Sequence, residues 1–256
     1  MKNHLLTALL LLIAGTAGAQ DIKVVAHRGA WNCPEAGYAR NSAAALRQSI
    51  AKNYYGSEFD VNMCADGSLV VFHDGKAEGM KFEEHTPEDF KHIRLENGEP
   101  IPGIDEYLAE AAGAQGLMLV FELKTHSSPE LETKAVKESI ESLKRAGLYD
   151  PQRVMFISFS FHICKEFVRL APGFKVQYLG FTKNLRQVSE AGLDGIDFNH
   201  RLLNKARVRK AHKLGLTVNC WTVNDEKTAS RMIRIGVDQI TTDYPEMVRS
   251  LIEKYN

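Results

Sequence analysis

Two histidines in this sequence, His27 and His73, each follow a short apolar run and stand beside a charged residue. Histidine titrates near neutral pH, so a pair in one site can accept a proton from one group and donate a proton to another. A single histidine at a strand end is more often structural, but two that flank acidic and basic residues favour catalysis. We therefore interpret His27 and His73 as a proton-transfer pair. The other histidines lie on polar segments and are interpreted as surface residues; they include His85, His92, His126 and His212.

Three acids, Glu58, Asp60 and Glu122, form a second group of candidate functional residues. Glu58 and Asp60 are two residues apart in a predicted strand, and that spacing directs both side chains to one face. Glu122 is expected to join them from the neighbouring strand. Clustered carboxylates are unfavourable unless a cation lies between them, and oxygen ligands suit Mg²⁺ or Ca²⁺ rather than zinc. The alternative, in which each acid pairs with Arg28 or Lys124 in a structural network, stays open.

Arg28 and Lys124 supply fixed positive charge beside these groups. Arginine binds phosphate through two parallel hydrogen bonds and lysine acts as a point charge, so together with a divalent cation they indicate a site for an anionic ester. Trp221 is interpreted either as core filling or as an apolar wall for an alcohol group of the substrate. Ser158 is not part of a G-x-S-x-G motif, which argues against a serine nucleophile.

The candidate residues lie at the ends of predicted strands. Short β-rich runs alternate with helical patterns along the chain, which predicts a parallel sheet with helices outside it. Eight such units favour closure into one (β/α)8 barrel, a TIM barrel, whose carboxyl-terminal strand ends share one active face. An open doubly wound sheet is the alternative, but residues 27–31 lack the G-x-G-x-x-G pattern that commonly follows its first strand. The strands are predicted at 22–26, 56–63, 117–123, 154–158, 175–179, 195–199, 216–223 and 239–242.

The region after the second strand interrupts this alternation. An additional strand is predicted at 69–73, and residues 75–102 form a polar insertion. Inside the insertion, Thr86 followed by Pro87 and two acids predicts the start of a helix. The chain is therefore predicted to be a single barrel domain with a short insertion after strand two.

The first 19 residues have the features of a secretory signal peptide. Lys2 supplies a positive charge, residues 5–12 are apolar, and Ala17-Gly18-Ala19 is a small-residue cleavage pattern. We expect cleavage near Ala19-Gln20, a barrel domain over residues 20–256, and a secreted or periplasmic location. No other stretch is long and apolar enough to predict stable membrane insertion.

Composition narrows the classes of partner. The sequence has 32 Lys and Arg residues against 32 Asp and Glu residues. This balance gives no basis for binding nucleic acid or for bulk attraction to anionic membranes. The partner expected from the candidate site residues is a small-molecule substrate, and the oligomeric state stays open. The four cysteines allow three disulfide connectivities. Cys33 and Cys64 both follow early strands and are the pair considered, although a chain of this size folds without disulfides.

In their order along the chain, these residues resemble the glycerophosphodiester phosphodiesterase family. The resemblance rests on seven segments that occur in the family's order and cover nearly all of the chain after the signal peptide. No single segment is decisive, but the ordered set is specific. The segments are Ala26-His27-Arg28-Gly29, residues 56–61, Asp66-Gly67 with residues 71–74, Phe121-Glu122-Leu123-Lys124, Ser158-Phe159, Trp221-Thr222-Val223-Asn224 and Thr242-Asp243-Tyr244-Pro245.

The resemblance implies a TIM barrel that hydrolyses glycerophosphodiesters to glycerol 3-phosphate and an alcohol. It implies one divalent cation, usually Ca²⁺ or Mg²⁺. It also assigns roles to the residues found above: His27 and His73 as acid and base, Arg28 and Lys124 at the phosphate, and Glu58, Asp60 and Glu122 as the metal ligands.

One segment departs from the family pattern. The family commonly has Pro-Glu-Asn-Thr before the first helix, whereas this chain has Ala39-Arg40-Asn41-Ser42, so Arg40 replaces an acid. Losing a negative charge beside the metal site is expected to change the local field and the choice of substrate. Because the metal triad is intact, we expect activity to survive.

Two other functions are consistent with a barrel of this kind. One is a phospholipase D-like or phosphoinositide-lyase-like enzyme that acts on lipids. The near-neutral net charge and the lack of an obvious apolar membrane loop argue against it. The other is a secreted binding protein that has lost catalysis through Arg40. The retained histidines and acids argue against it, since binding alone needs no matched acid and base. Metal-dependent turnover of a small diester discriminates between these functions.

Overall fold

The structure is a computed structural model that describes residues 21–255. The predicted signal peptide, residues 1–19, and its cleavage site lie outside the described residues.

Eight parallel strands close into a barrel. The first strand pairs with the last barrel strand on one side and with the second strand on the other, which closes the ring. Every neighbouring pair of barrel strands is parallel. This closure confirms the predicted TIM barrel and excludes the open doubly wound sheet. The eight barrel strands are β1 (Lys23–Ala26), β2 (Gly56–Met63), β6 (Met118–Leu123), β7 (Val154–Ser158), β8 (Lys175–Tyr178), β9 (Gly195–Asn199), β10 (Thr217–Trp221) and β11 (Gln239–Thr242). Three short strands lie between β2 and β6 and outside the barrel: β3 (Leu69–Val71), β4 (Lys76–Ala77) and β5 (Met80–Lys81).

Helices follow the barrel strands, and most of them begin at side-chain caps. Ser42, Ser128, Asn204 and Asp225 each accept a hydrogen bond from a backbone N–H of the first helical turn, which satisfies a donor that the helix leaves free. The helices are α1 (Ala43–Ala51), α2 (Ile104–Ala109), α3 (Pro129–Arg145), α4 (Phe161–Leu170), α5 (Leu185–Glu190), α6 (Lys205–Lys213), α7 (Glu226–Ile235) and α8 (Pro245–Tyr255). Within residues 21–255, no helix has the length and apolar character that crossing a bilayer requires.

Strand alternation separates the core from the site. Phe59 lies between Glu58 and Asp60 on β2 and points outward, where it packs with Phe121 at a ring distance of 5.1 Å. Burying each such ring stabilises the fold by about 1.5–3 kcal/mol. Successive side chains on a strand point to opposite faces. Because Phe59 points outward into the core between barrel and helices, its neighbours Glu58 and Asp60 point into the barrel lumen.

The insertion after β2 is less regular than predicted. The additional strand β3 ends at Val71 and runs antiparallel to β2, so His73 lies on the loop that follows and not on a strand. The helix predicted to start at Thr86 is only a short 3-10 turn, Pro87–Phe90. Its Phe90 packs on Phe82 at 4.6 Å, which forms a small apolar cluster beneath the loop.

Two further expectations are corrected by the packing. All four cysteines are free thiols, so Cys33 and Cys64 do not form the disulfide considered from the sequence. His126 is 7 % exposed and not a surface residue. Its Nε2 atom accepts a hydrogen bond from the backbone N–H of Met63 at 3.1 Å.

Candidate active site

A cavity of about 190 Å³ opens at the carboxyl-terminal ends of the barrel strands. It brings together all eight candidate site residues from the sequence, and it adds an apolar side and one further acid. The residues that line it are His27, Arg28, Glu58, Asp60, His73, Glu122, Lys124, Ile157, Phe159, Leu179, Asp197, Trp221, Thr222 and Thr241.

Three buried carboxylates form one wall of this cavity. Glu58, Asp60 and Glu122 each offer an oxygen within 4.8 Å of the others, and among residues 21–255 they are the group of ligand atoms placed closely enough to hold a metal ion. The register of the sheet explains the approach, because Asp60 on β2 is the direct partner of Glu122 on β6. The cluster predicted from strand alternation is therefore present.

Basic side chains neutralise part of this cluster. Lys124 Nζ lies 2.6 Å from Asp60 Oδ1 and 2.6 Å from Glu122 Oε1, and Arg28 Nε lies 3.4 Å from Asp60 Oδ2. These are the ion pairs of the structural alternative, but they leave three acids against two cations. Glu58 Oε1 is buried and has no hydrogen-bond partner among the described residues.

The pKa values of the three carboxyl groups agree with a cluster in which two basic side chains face three acids. Burial, with the charges of Asp60 and Glu122, raises the pKa of Glu58 well above its usual range. Burial also raises the pKa of Glu122 to about 7, although Lys124 opposes the shift. Burial acts on Asp60 too, but Lys124 and a hydrogen bond from Asn41 outweigh it and lower its pKa. Three hard oxygen donors, one of them without a partner, fit a divalent cation such as Ca²⁺ or Mg²⁺.

The loop that includes Arg28 and Asn41 holds the carboxylates in place. Both residues have a left-handed backbone, with φ of 57° and 54°. This conformation lets the Arg28 backbone N–H donate to Glu58 Oε2 at 2.7 Å. Asn41 Nδ2 donates to Asp60 Oδ2 at 2.8 Å, and the Asp60 backbone N–H donates to Asn41 Oδ1 at 3.2 Å. Strained residues of this kind concentrate at functional sites.

Arg40 does not line the cavity, which corrects the expectation that it stands beside the metal site. Its guanidinium lies over the ring of Trp31, 3.9 Å from the centroid, and 3.9 Å from Glu96. The neighbouring Asn41 is the residue of this segment that contacts the triad. The Arg40 substitution therefore alters the surface near the mouth and leaves the carboxylate cluster intact.

Each histidine is paired with a carboxylate through Nδ1. His27 Nδ1 lies 2.7 Å from Asp243 Oδ1, and His73 Nδ1 lies 2.7 Å from Asp74 Oδ1. Both pairings leave Nε2 for a ligand in the cavity. Burial lowers the pKa of His73, and the positive charge of Lys124 lowers it further. Sequence reasoning placed Asp243 at a strand end but gave it no role.

The side of the cavity opposite the acids is apolar. Trp221 faces the cavity and packs edge-on against Phe159, with ring centroids 5.6 Å apart. Trp221 Nε1 donates to the backbone oxygen of Asp197 at 2.9 Å, which fixes the ring. Of the two interpretations of Trp221, the apolar wall is therefore the one that the contacts support. The sequence offered Phe159 only as part of a motif and gave no signal for its position at the mouth.

Asp197 is the acid that the sequence analysis missed. It lies on β9, and burial together with the negative charge of Glu122 raises its pKa well above its usual range. The available signal was its spacing, since Asp197 and Asn199 are two residues apart at the end of a predicted strand and share a face.

The chain is similar to known phosphodiesterases over most of its length. The model of the glycerophosphoryl diester phosphodiesterase family matches residues 27–247. A glycerophosphodiester phosphodiesterase of Caldanaerobacter subterraneus subsp. tengcongensis is 28% identical over 252 residues, which cover 90% of this chain and 98% of that protein.

Solved structures show the same architecture. The crystal structure of a glycerophosphodiester phosphodiesterase from Parabacteroides distasonis is 38% identical, has a TM-score of 0.88, and is matched over 93% of this chain and 99% of that one. A phosphodiesterase from Oleispira antarctica, crystallised with the product sn-glycerol-3-phosphate, shares the fold with a TM-score of 0.78 at 23% identity, over 90% of this chain and 96% of that one.

Proposed function

This chain belongs to the glycerophosphoryl diester phosphodiesterase family, and we propose that it hydrolyses glycerophosphodiesters to glycerol 3-phosphate and an alcohol in the cavity at the barrel mouth. The observation that carries the proposal is the buried carboxylate triad, which lies beside two basic side chains and shares one cavity with two oriented histidines. This arrangement has a place for a cation, a place for an anion and two groups that transfer protons.

Arg28 and Lys124 hold the phosphate in this proposal. Lys124 uses two of its three N–H donors on Asp60 and Glu122, so one donor remains for a phosphate oxygen. Arg28 lines the same cavity and offers a planar fork that matches two phosphate oxygens. Binding between these two groups places the phosphorus next to the carboxylate triad.

His27 and His73 move the protons. One histidine accepts a proton at Nε2 from the attacking group, either a water molecule or the glycerol hydroxyl next to the phosphate ester, whose oxygen forms the new bond to phosphorus. The other histidine donates a proton from Nε2 to the leaving oxygen as its bond to phosphorus breaks. If the glycerol hydroxyl attacks, water then opens the cyclic phosphate and completes the hydrolysis. Asp243 and Asp74 hold the Nδ1 atoms, which fixes the orientation of each ring during the transfer.

Glu58, Asp60 and Glu122 are the residues that would hold a divalent cation, Ca²⁺ or Mg²⁺. Once bound, such a cation supplies positive charge that withdraws electron density from the phosphoryl oxygens. Trp221 contributes an apolar surface for the carbon atoms of the substrate.

The test is release of glycerol 3-phosphate from a panel of glycerophosphodiesters by the chain that starts at Gln20. We expect release that EDTA stops and that Ca²⁺ or Mg²⁺ restores. Binding of the diester without turnover under every cation would instead support the binding-protein alternative.

A second candidate substrate class is an amphiphilic diester such as a lysophospholipid. The observation that favours it is a set of exposed aromatic side chains at the carboxyl-terminal face of the barrel. Phe159 lines the cavity, and Phe181 and Tyr244 lie just after β8 and β11, with Phe181 75 % exposed. The sequence analysis found no obvious apolar loop because these residues are isolated in the chain. Comparing choline release from glycerophosphocholine and from lysophosphatidylcholine separates the two classes.

We also propose that residues 1–19 direct secretion and that the chain from residue 20 works outside the cytoplasm. The support is the pattern of charge, apolar run and small residues at the N-terminus. Sequencing the N-terminus of the purified protein tests this proposal, and an intact Met1 would contradict it.

A further inference from the structure

Asp197 is a carboxyl group in the barrel lumen for which the proposed mechanism has no use. It is 2 % exposed and lines the same cavity as Glu122 and Trp221. Its Oδ1 atom is buried and has no hydrogen-bond partner among the described residues. Buried polar atoms are nearly always hydrogen-bonded, so an unpartnered one beside a cavity indicates that a ligand or a water molecule completes it.

The position of Asp197 sets which part of a substrate it meets. In the ring of eight strands, β9 is the fourth strand from β2 in either direction. Asp197 therefore lies on the opposite wall of the lumen from Glu58 and Asp60. A diester whose phosphate is held beside those acids has room to extend one of its two organic groups toward β9.

The side of the cavity that Asp197 lines is mostly apolar. Ile157, Leu179, Phe159 and Trp221 line this side of the cavity. The indole N–H of Trp221 is already used on the backbone oxygen of Asp197. Thr241, which also lines the cavity, directs its hydroxyl to Asn219 Oδ1 at 3.3 Å. The Asp197 carboxyl is thus a polar group with free hydrogen-bonding capacity on a surface that suits CH₂ groups.

We propose that the Asp197 carboxyl binds the terminal hydroxyl of the glycerol moiety, the hydroxyl farthest from the phosphate, and so selects glycerophosphodiesters over diesters of simpler alcohols. This inference rests on the proposed function. A hydroxyl donates to a carboxylate and accepts from a carboxylic acid, so the contact does not depend on the protonation state of Asp197. A site built to hydrogen-bond a substrate hydroxyl rejects analogues that lack it, because its own polar group is then left unpaired.

A structural role is the competing explanation. Within residues 21–255, Gln177 Oε1 and Asn219 Nδ2 are also buried without hydrogen-bond partners, and ordered water that joins all three side chains would explain this. In that case Asp197 would influence stability and not the choice of substrate. Gln177 does not line the cavity, which makes it a matched control.

The experiment compares two substrates that both release choline. One is glycerophosphocholine, and the other is the phosphocholine ester of propane-1,2-diol, which lacks the terminal hydroxyl. We expect the unaltered chain to prefer glycerophosphocholine in kcat/KM by roughly 10- to 100-fold. Asp197→Leu should remove this preference by lowering kcat/KM on glycerophosphocholine alone, and Asp197→Asn, which keeps an acceptor oxygen, should lose only part of it. Gln177→Leu should keep the full preference.

The outcomes are separable. Equal losses on both substrates in Asp197→Leu, or a preference that survives it, would overturn the inference and leave the proposed function standing. Absence of choline release by the unaltered chain under any cation would overturn the proposed function and the inference together. If circular dichroism shows that Asp197→Leu does not fold, the test uses Asp197→Asn instead. An unchanged substrate preference of Asp197→Asn, together with an unchanged affinity for glycerol 3-phosphate by calorimetry, would contradict the proposed contact.

Discussion

The Nδ1 atom of His27 lies 2.7 Å from Oδ1 of Asp243, although 216 residues separate the two in the chain. The contact exists because β1 pairs with β11 where the barrel closes, and each residue directly follows its strand. Asp243 is held in turn by Asn224 Nδ2 at 2.6 Å and by Trp31 Nε1 at 3.2 Å. Burial opposes the ionised form of Asp243, but the contact with His27 and the hydrogen bonds from Asn224 and Trp31 together outweigh it and lower the pKa of Asp243. An ionised, fixed carboxylate therefore orients His27.

Replacing Asp243 by Asn should lower kcat by about 10- to 100-fold, because an amide holds the imidazole of His27 less firmly. Steady-state kinetics on glycerophosphocholine would measure the loss. The His212–Asp238 pair, with its contact at 2.8 Å, lies at the other end of the barrel and provides the control. Asp238→Asn should leave the kinetics unchanged, and an equal loss in both variants would mean that Asp243 acts only on stability.

Removing either proton-transfer group should reduce turnover while the site stays assembled. We expect His27→Ala and His73→Ala each to lower kcat by about 100- to 10,000-fold, since general acid–base catalysis contributes that range. Cation binding by calorimetry should persist in both variants. His212→Ala is the surface control, and turnover that survives in a His27/His73 double variant would refute the assigned roles.

Glu58 has a buried oxygen without a partner, so it should be the ligand whose loss affects the cation most directly. Glu58→Gln should weaken Ca²⁺ or Mg²⁺ binding, and it should reduce the rise in melting temperature that a bound cation produces. Calorimetry and thermal unfolding with and without EDTA measure both effects. The exposed Glu190→Gln should behave like the unaltered chain. Equal cation affinity in Glu58→Gln and in this control would remove Glu58 from the ligand set.

Stability should fall below neutral pH because of His126. Burial lowers the pKa of His126 from its ordinary value of 6.5, and its Nε2 atom must stay unprotonated to accept from Met63. The unfolded chain therefore binds a proton that the folded chain resists, so the contribution is complete above pH 6.5 and declines as the pH falls below that value.

The variant His126→Gln keeps an acceptor for Met63 and removes the titration. Urea unfolding at pH 7 and at pH 5 should show a smaller drop in the free energy of unfolding for His126→Gln than for the unaltered chain. His92→Gln, at an exposed position, should keep the full drop. If the drop is the same in both variants, another group accounts for the acid sensitivity.

The sequence alone was sufficient for the barrel and for eight of the residues that line its cavity. Alternation of β-rich and helical runs is a local property, and in a closed barrel the carboxyl ends of all strands meet at one face, so polar residues there had to converge. The spacing of Glu58 and Asp60 likewise determined their shared face, because strand side chains alternate whatever surrounds them. Errors of local interpretation arose where no regular element forms, as at His73, which lies on a loop.

Only the tertiary structure decided how these groups are partnered. Asp243 reaches His27 because the last strand closes against the first, and Asp197 reaches the cavity because β9 stands opposite β2. The Arg40 guanidinium packs on Trp31, and His126 is buried with a hydrogen bond from Met63. Both contacts depend on side-chain rotamers and on which neighbouring groups are available as partners. Such contacts join residues far apart in the chain, so no local pattern encodes them, and they appear only when closure and register bring the strands together.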